Sequence, residues 1–328
     1  MTMRRRDFIT LLGGAAAAWP VAARAQPALP VIGYLYSGAP EASATWVAAF
    51  RKGLNESGFS EGRNVAVEYR WAYNDPAQLP ELAADLVRRR VALIVTPGTA
   101  ASVLAAKAAT TTIPIVFRTG GDPIELGFVA SLNQPGGNIT GINAMSLEVG
   151  AKRVGLLHEL LPRAARLAVL LNPNDPNADA YTKDLQTAAS SIGWQVEIFG
   201  ASNIGEIDIA FAHLAQKPPN AFLVVPQGLL FNRRVQIITQ ATRHMLPAVY
   251  PSREFAEIGG LMSYGSNSAD EWRLTGVYTG RILKGEKPSE LPVLRASKFE
   301  LVINQQTAKI FGIEIPPTLL AIADEVIE

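Results

Sequence analysis

The segments IPIVF (Ile113–Phe117) and LPAVY (Leu246–Tyr250) decide the fold, because they are two versions of one short pattern within a single chain. Each consists of an aliphatic residue, a proline, a spacer, a valine and an aromatic residue. Each follows an amphipathic run and precedes a polar, turn-rich segment. The chain has 328 residues, of which 48% are hydrophobic and 18% are charged, which suits one large or two medium domains. A duplicated unit therefore fits the length.

The same order of elements leads to both segments. In the first half, the strand, helix and C-cap patterns predict strands at Val31–Tyr36, Asn64–Arg70 and Val91–Thr96, and helices at Thr45–Ser57, Leu79–Arg90 and Thr99–Ala109. In the second half they predict strands at Arg166–Leu171, Gln195–Phe199 and Ala221–Val225, and helices at Ala178–Ser191, Ile204–Gln216 and Leu230–His244. Alternating strands and helices with right-handed crossovers imply an α/β protein of two Rossmann-like lobes, each a doubly wound parallel sheet. The proline-marked segment is the fourth strand of each lobe.

The strict repeat ends at Tyr250, and the remaining chain predicts a hinge. Further strands are expected at Gly259–Gly265 and in residues 292–304, and a helix begins at a Ser268 cap. Extra elements after two complete lobes indicate that the chain crosses between the lobes several times, which permits hinge closure. We expect residues 28–142 and 264–286 in lobe one, and residues 143–263 and 287–328 in lobe two.

The N-terminus has the pattern of a twin-arginine signal peptide over residues 1–25. Arg4, Arg5 and Arg6 precede an uncharged run, and Ala23-Arg24-Ala25 resembles a peptidase site, so cleavage is expected near Ala25. The alternative is an amphipathic N-terminal helix of a cytosolic protein. Export predicts a periplasmic location. Loss of four arginines and one aspartate takes the formal charge from +1 to −2, which argues against a nucleic-acid partner.

The loops at the carboxyl ends of the strands are the expected binding region, because doubly wound sheets bind ligands beyond those ends. These loops are Ser37-Gly38, Pro97–Thr99 and Arg118–Asp122 in the first half, and Asn172–Asp175, Pro226–Gly228 and Pro251–Arg253 in the second half. Solvation explains a single polar loop equally well. Six loops in two matched sets favour one cleft between two facing lobes.

A specific ligand model follows from the residue types in these loops. An anionic group is expected at the start of the Thr99 helix, where Gly98 and Ala100 leave the backbone open and Ser102 adds a hydroxyl. The alternative is that Thr99 only caps its helix. The candidate contacts are an anion clamp at Arg118, an ammonium acceptor at Asp122, aromatic walls at Tyr36 and Tyr250, and polar contacts at Ser37, Asn172 and Gln227. The model predicts an amino-acid-like or carboxylate-bearing ligand.

Catalytic and metal motifs are not found in the sequence. The three histidines, His158, His213 and His244, are isolated, and there is no cysteine, so a zinc site is not expected. Residues Gly260–Gly265 have the spacing G-x-x-S-x-G instead of the G-x-S-x-G of a nucleophile elbow. We therefore expect neither an enzyme nor a cofactor.

The segment IPIVFRTGGDPIELGFVASLNQPGGNITG (Ile113–Gly141) closely resembles the signature of the ABC-transporter substrate-binding proteins with the type I periplasmic binding fold. The segments EFAEIGGLMSYG and KFELVINQQTAKIFG are similar to later motifs of that family, and the resemblance extends from about Val31 to Ile327. It implies two lobes, a three-stranded hinge and a small ligand between them. Some relatives look like binders of amino acids, including aromatic ones.

Two functions are consistent with these expectations. The first is a monomeric periplasmic receptor that delivers a small molecule to an ABC permease in the inner membrane. The alternative is a ligand-sensing subunit for a membrane kinase. An enzyme that uses the same cleft would need chemistry that the sequence does not offer, and a LacI-type regulator would need a DNA-binding headpiece where the signal peptide is expected.

Overall fold

Two β-sheets organise residues 29–328, the part of the chain that the computed structural model describes. The predicted signal peptide, residues 1–25, lies outside the described residues. The first sheet contains β1 (Val31–Tyr36), β2 (Ala66–Trp71), β3 (Leu93–Pro97), β4 (Ile115–Thr119), β5 (Ile139–Asn143) and β11 (Leu294–Arg295). The second contains β6 (Arg166–Leu171), β7 (Gln195–Gly200), β8 (Ala221–Val224), β9 (Ala248–Tyr250), β10 (Met262–Ser266), β12 (Phe299–Asn304) and β13 (Glu325–Ile327).

Helices cover the faces of both sheets. They are α1 (Ala44–Glu56), α2 (Leu79–Arg88), α3 (Ala100–Ala109), α4 (Gly150–Leu160), α5 (Ala178–Ser191), α6 (Ile204–Gln216), α7 (Gly228–Asn232), α8 (Arg234–Arg243), α9 (Arg253–Glu257), α10 (Ser268–Leu283), α11 (Gln305–Phe311) and α12 (Pro317–Ile322). No helix within residues 29–328 combines the length and the apolar character that a membrane crossing requires.

The strand orders confirm the predicted internal repeat. The first sheet runs β11-β5-β4-β3-β1-β2, and the second runs β13-β12-β10-β9-β8-β6-β7. The proline-marked strands β4 and β9 follow β3 and β8 in the two lobes, as the matched sequence order predicts. Among the described strands, the pairing of β10 with β12 is antiparallel and the other pairings within the sheets are parallel. The helix predicted over Leu230–His244 is two helices, which meet at Arg233.

The chain crosses between the lobes three times in the described residues, after β5, β10 and β11. Two crossings differ from the predicted boundaries. Residues 264–266 extend β10 in the second sheet, so this crossing follows Ser266. Leu294–Arg295 pairs with β5 of the first sheet, so the last crossing follows Arg295 instead of residue 286. The segment 292–304, expected to be one strand, divides at residues 296–298 because its two parts pair with different sheets.

Alternating side chains of β1 divide the first lobe into two apolar layers. Tyr34 and Tyr36 pack with Phe50 of α1 and Trp272 of α10, whereas Leu35 packs on the opposite face with Leu86 of α2. This period of two is the expected geometry of a strand that is buried on both faces. It places Tyr36, the last residue of β1, on the side of the sheet where α10 returns.

Glycines bring α1 and α10 into backbone contact. A Cβ atom on Gly276 would overlap the carbonyl oxygen of Phe50, and one on Gly53 would overlap the carbonyl oxygen of Arg273. Backbone atoms cannot move aside as a flexible side chain can, so a larger residue has to push the helices apart. Helix α10 follows the second crossing, and this contact holds it in the first lobe.

Replacement of Gly276 by alanine is expected to lower the free energy of unfolding by about 1–3 kcal/mol or more, because overpacking separates α1 from α10. The matched control is Gly155→Ala in α4, where an added Cβ meets no atom within 4 Å. That change is expected to raise stability by up to about 1 kcal/mol, because alanine favours the helix. Urea denaturation of both variants measures the difference, and equal stability of the two would contradict the close helix contact.

Candidate ligand-binding site

A cavity of about 60 Å³ lies between the lobes at the carboxyl ends of their strands. The first lobe contributes Tyr36, Trp46, Gly98, Arg118, Ser268 and Trp272 to its lining. The second lobe contributes Gln227, Phe231, Ser252 and Ser266, and Ser146 lies in the first crossing. The geometry therefore places a partly open polar and aromatic space where the two sheets face each other, as the parallel strand directions require.

The cation at this cavity is already paired. Arg118, in β4, places Nε 2.6 Å and Nη2 2.5 Å from Oε2 of Glu271 in α10. The Glu271 side chain is 3% exposed and the Arg118 side chain is 15% exposed. The second carboxylate oxygen of Glu271, Oε1, is buried and has no hydrogen-bond partner among the described residues. This ion pair joins the end of β4 to the first turn of α10 and leaves Arg118 as the charged residue in the cavity wall.

Two lining residues from opposite lobes have buried polar atoms without a partner among residues 29–328. These atoms are Nε1 of Trp272 and Oγ of Ser252. A buried donor that makes no hydrogen bond costs about 1–3 kcal/mol. The indole N–H can only donate, whereas the hydroxyl can donate or accept. Both groups therefore have unused hydrogen-bonding capacity in residues that line the cavity.

Aromatic rings form one wall and connect the lobes. Trp46 in α1 stacks on Trp272 at a centroid distance of 5.0 Å and an interplanar angle of 11°. Its ring centroid is 4.1 Å from that of Phe231 in the other lobe. The indole Nε1–H of Trp46 donates to Oε1 of Glu254, also in the other lobe, at 3.1 Å. Burial raises the pKa of Tyr36 well above its ordinary value, so its phenol is neutral at physiological pH.

A second side-chain contact joins the two lobes at the end of the cleft near β2. Asn232 of α7 donates through Nδ2 to Oδ1 of Asn74, which lies in the loop after β2. Asn74 has a φ of 67°, in the left-handed region, where asparagine is tolerated better than most residues. The lobes therefore touch directly, through side chains, in this structure.

The sequence-predicted residues separate into three groups. Tyr36, Gly98, Arg118 and Gln227 line the cavity. Ser37, Thr99 and Asn172 line a neighbouring cavity of about 140 Å³ between the same lobes. Ala100, Ser102, Asp122 and Tyr250 line neither of these two cavities.

Local hydrogen bonds explain several of these differences. Thr99 caps α3, because its Oγ1 accepts from the backbone N–H of Ser102, which is the simpler of the two interpretations of that residue. Asp122 Oδ1 accepts from the backbone N–H groups of Ile124 and Glu125, at 2.7 and 3.3 Å. Its carboxylate therefore caps a turn instead of facing the cavity. The side chain of Gln227 bonds to both backbone polar groups of Asn172.

Tyr250 packs into the core of its own lobe, which corrects the predicted pair of aromatic walls. Its ring is 2% exposed and stacks on Phe255 at 5.1 Å. The walls are instead formed by Trp46, Trp272 and Phe231, which the sequence reasoning did not select. The available signal was the predicted start of α10 directly after β10. The N-cap is Asn267 instead of the predicted Ser268, because Oδ1 of Asn267 accepts from the backbone N–H of Asp270.

No group of three or more His, Cys, Asp or Glu side chains within residues 29–328 could hold a metal ion. The functional groups that line the cavity include an arginine, the amide of Gln227, an indole N–H, serine hydroxyls and aromatic rings. These groups bind and orient a small polar molecule. They do not form a paired nucleophile and base.

Comparisons with known proteins agree with a binding site. The family model described as ABC transporter substrate binding protein matches residues 40–327. A tyrosine-binding protein of Clostridioides difficile is 28% identical over 262 residues, which cover 79% of this chain and 74% of that protein.

Two solved structures show a similar fold. The ABC domain in complex with L-Trp from Streptococcus pneumonia has a TM-score of 0.83 at 24% identity, covering 91% of this chain and 100% of that one. The ligand-free, open structure of a substrate-binding protein with adhesive properties from Clostridium difficile has a TM-score of 0.65 at 25% identity, covering 91% and 99%. The TM-score is therefore higher with the L-Trp complex than with the ligand-free, open structure.

Removal of Glu271 is expected to destabilise the fold strongly. The variant Glu271→Ala leaves the Arg118 guanidinium without its buried partner, which typically costs about 3–5 kcal/mol of unfolding free energy. The control is Glu290→Ala, which breaks an exposed ion pair with Lys287 and should cost no more than about 1 kcal/mol. Urea denaturation compares them. A loss for Glu271→Ala as small as that of the control would show that the ion pair does not hold α10 in place.

Proposed function

The chain belongs to the family of ABC transporter substrate-binding proteins, and we propose that it binds one small, carboxylate-bearing, amino-acid-like molecule between its lobes and delivers it to an inner-membrane permease. The observation that carries the proposal is the cavity in which Arg118 lies beside Trp272 and Ser252, with donors from both lobes. A molecule that satisfies groups on both lobes stabilises the closed arrangement over the open one.

The lining favours a carboxylate as the polar group of the ligand. Nη1 of Arg118 makes no hydrogen bond to the described residues, and guanidinium groups bind carboxylates strongly. The Trp272 N–H and the Ser252 hydroxyl supply further donors. An ammonium group would meet the hydroxyl oxygens of Ser266 and Ser268, because Asp122 is turned away.

The aromatic wall favours a ligand with an apolar or aromatic side chain. Trp46, Trp272 and Phe231 present ring faces and edges on one side of the cavity, and aromatic pairs add about 0.5–1.5 kcal/mol beyond their area burial. The curated relative is named a tyrosine-binding protein, and one solved neighbour contains L-Trp. L-tyrosine and L-tryptophan are therefore the first ligands to test.

The proposal includes export and a monomeric receptor. Residues 1–25 fit a twin-arginine signal that directs the folded protein to the periplasm. A receptor that binds through the cleft between its own two lobes needs no second copy to complete the site. Its partners are the small ligand and the permease, and nucleic acid is not among them.

The change Trp272→Phe is expected to weaken binding of L-tyrosine or L-tryptophan about tenfold. It keeps an aromatic ring but removes the N–H, and a hydrogen bond to a charged group contributes about 1.5–3 kcal/mol. The matched control is Trp194→Phe, which changes a buried tryptophan packed against His158 in the second lobe. Asp122→Ala is a second control. Calorimetry should find both controls within about twofold of the wild type, and an unchanged affinity for Trp272→Phe would contradict this site.

Export is tested separately. Changing Arg5 and Arg6 to lysine should leave unprocessed precursor in the cytoplasm, because the twin-arginine pathway requires that pair. Fractionation and immunoblotting of the wild type and the variant measure the distribution. If the variant reaches the periplasm at the wild-type rate, the pathway assignment is wrong, although the ligand proposal is unaffected.

A further inference from the structure

Arg153 of α4 is a buried cation without a carboxylate partner. It is 2% exposed, and no carboxylate oxygen of the described residues lies within 4.0 Å of its nitrogens. Nε donates to the carbonyl oxygen of Tyr264 at 2.7 Å, and Nη1 donates to that of Ser146 at 3.2 Å. Buried charges are normally paired, because desolvation of an ion is costly. A buried arginine without an ion-pair partner is therefore unusual.

The position of Arg153 places its charge directly behind the cavity. Ser146 and Ser266 line the cavity. The guanidinium of Arg153 donates to the backbone carbonyl of Ser146 and to that of Tyr264 in β10, the strand that ends at Ser266. Nη2 is 3.6 Å from the position that a Cβ on Gly265 would occupy. The guanidinium therefore contacts the backbone of Ser146, which lines the cavity, and lies beside Gly265, which precedes the lining residue Ser266.

The neighbouring groups do not form an ion pair with Arg153. Asp184 is the carboxyl group that acts electrostatically on Arg153, but its oxygens lie beyond 4.0 Å of the guanidinium nitrogens. The hydroxyl of Tyr181 is buried without a partner and remains protonated, because burial raises its pKa. Burial lowers the pKa of Arg153 to about 10, so Arg153 is still protonated at neutral pH. By contrast, the charge of Arg118 is compensated by Glu271.

We propose that Arg153 is the specificity-determining charge of the site: without touching the ligand, it makes the hinge end of the cavity selective for an anionic group. The inference rests on the proposed function and deepens it. The carboxylate of the ligand supplies the missing counter-charge across the floor formed by Ser146 and Ser266. A neutral molecule of the same shape would leave Arg153 without an ion-pair partner or a nearby anionic group in the cavity.

The sheet orders then fix the direction of the ligand. Arg118 lies near the carboxyl end of β4, next to the crossing strand β5, whereas Tyr36 ends β1, two strands further from the hinge. In the second lobe, Ser252 follows β9, next to β10, and Phe231 follows β8, one strand further out. The carboxylate therefore lies at the hinge end, and the apolar body lies against Trp46 and Phe231.

The test compares an acid with its amide in two variants. Calorimetry measures the affinities of L-tryptophan and L-tryptophanamide for the wild type, Arg153→Met and Arg153→Lys. The measurements are made at about pH 6, where the α-amino groups of both compounds are protonated. The Met variant is expected to lose about tenfold in affinity for the acid, because a unit charge near a partly buried ion contributes at least about 1.4 kcal/mol. Its affinity for the amide should stay within about twofold. Arg163→Met, an exposed change in the same lobe, is the control.

The outcomes separate the inference from the proposed function. Equal losses for the acid and the amide would mean that Arg153 only supports the hinge, which overturns the inference and leaves the function intact. Binding of neither compound by the wild type would contradict the proposed amino-acid site and, with it, the inference. If the Met variant does not fold, the Lys variant carries the test. Lysine keeps the charge, so the ratio of the affinity for the acid to the affinity for the amide should be preserved. A loss of this preference for the acid in folded Arg153→Lys would overturn the inference.

Discussion

The common direction of neighbouring strands is the constraint on which the rest of the structure depends. Parallel pairing places the carboxyl ends of β1, β3 and β4 at one edge of the first sheet, and those of β6, β8 and β9 at one edge of the second. Three crossings make these edges face each other. Arg118, Ser252 and Trp46 meet for that reason, although they are distant in sequence.

The architecture could be predicted from sequence because its signals are local. Alternating periodicity, cap residues and the repeated proline-marked strand each depend on a few neighbouring residues, and they gave both lobes in the correct order. The last crossing could not be located in this way. Leu294–Arg295 is an edge strand of two residues that is defined by pairing with β5, and the residues that separate it from β12 have no strong turn signal.

The predicted loops line the cavities between the lobes, but the contacts of their side chains depend on partners far along the chain. Arg118, the predicted anion clamp, pairs with Glu271, which is 153 positions away. The polar side chains of Asp122 and Thr99 suggest ligand contacts, but they accept hydrogen bonds from backbone N–H groups two or three residues further along the chain. Arg153 and Trp272 lie inside amphipathic helices, where sequence alone indicates packing. Only the fold shows that one lies behind the cavity and the other in its wall.

Closure of the two lobes on one small ligand is tested most directly by small-angle X-ray scattering. The protein without ligand should have a larger radius of gyration than the closed structure described above. Saturation with the amino acid that binds should reduce the radius to the value calculated from that structure, because the ligand bonds to both lobes only when they are closed. An identical scattering profile with and without bound ligand would contradict the account.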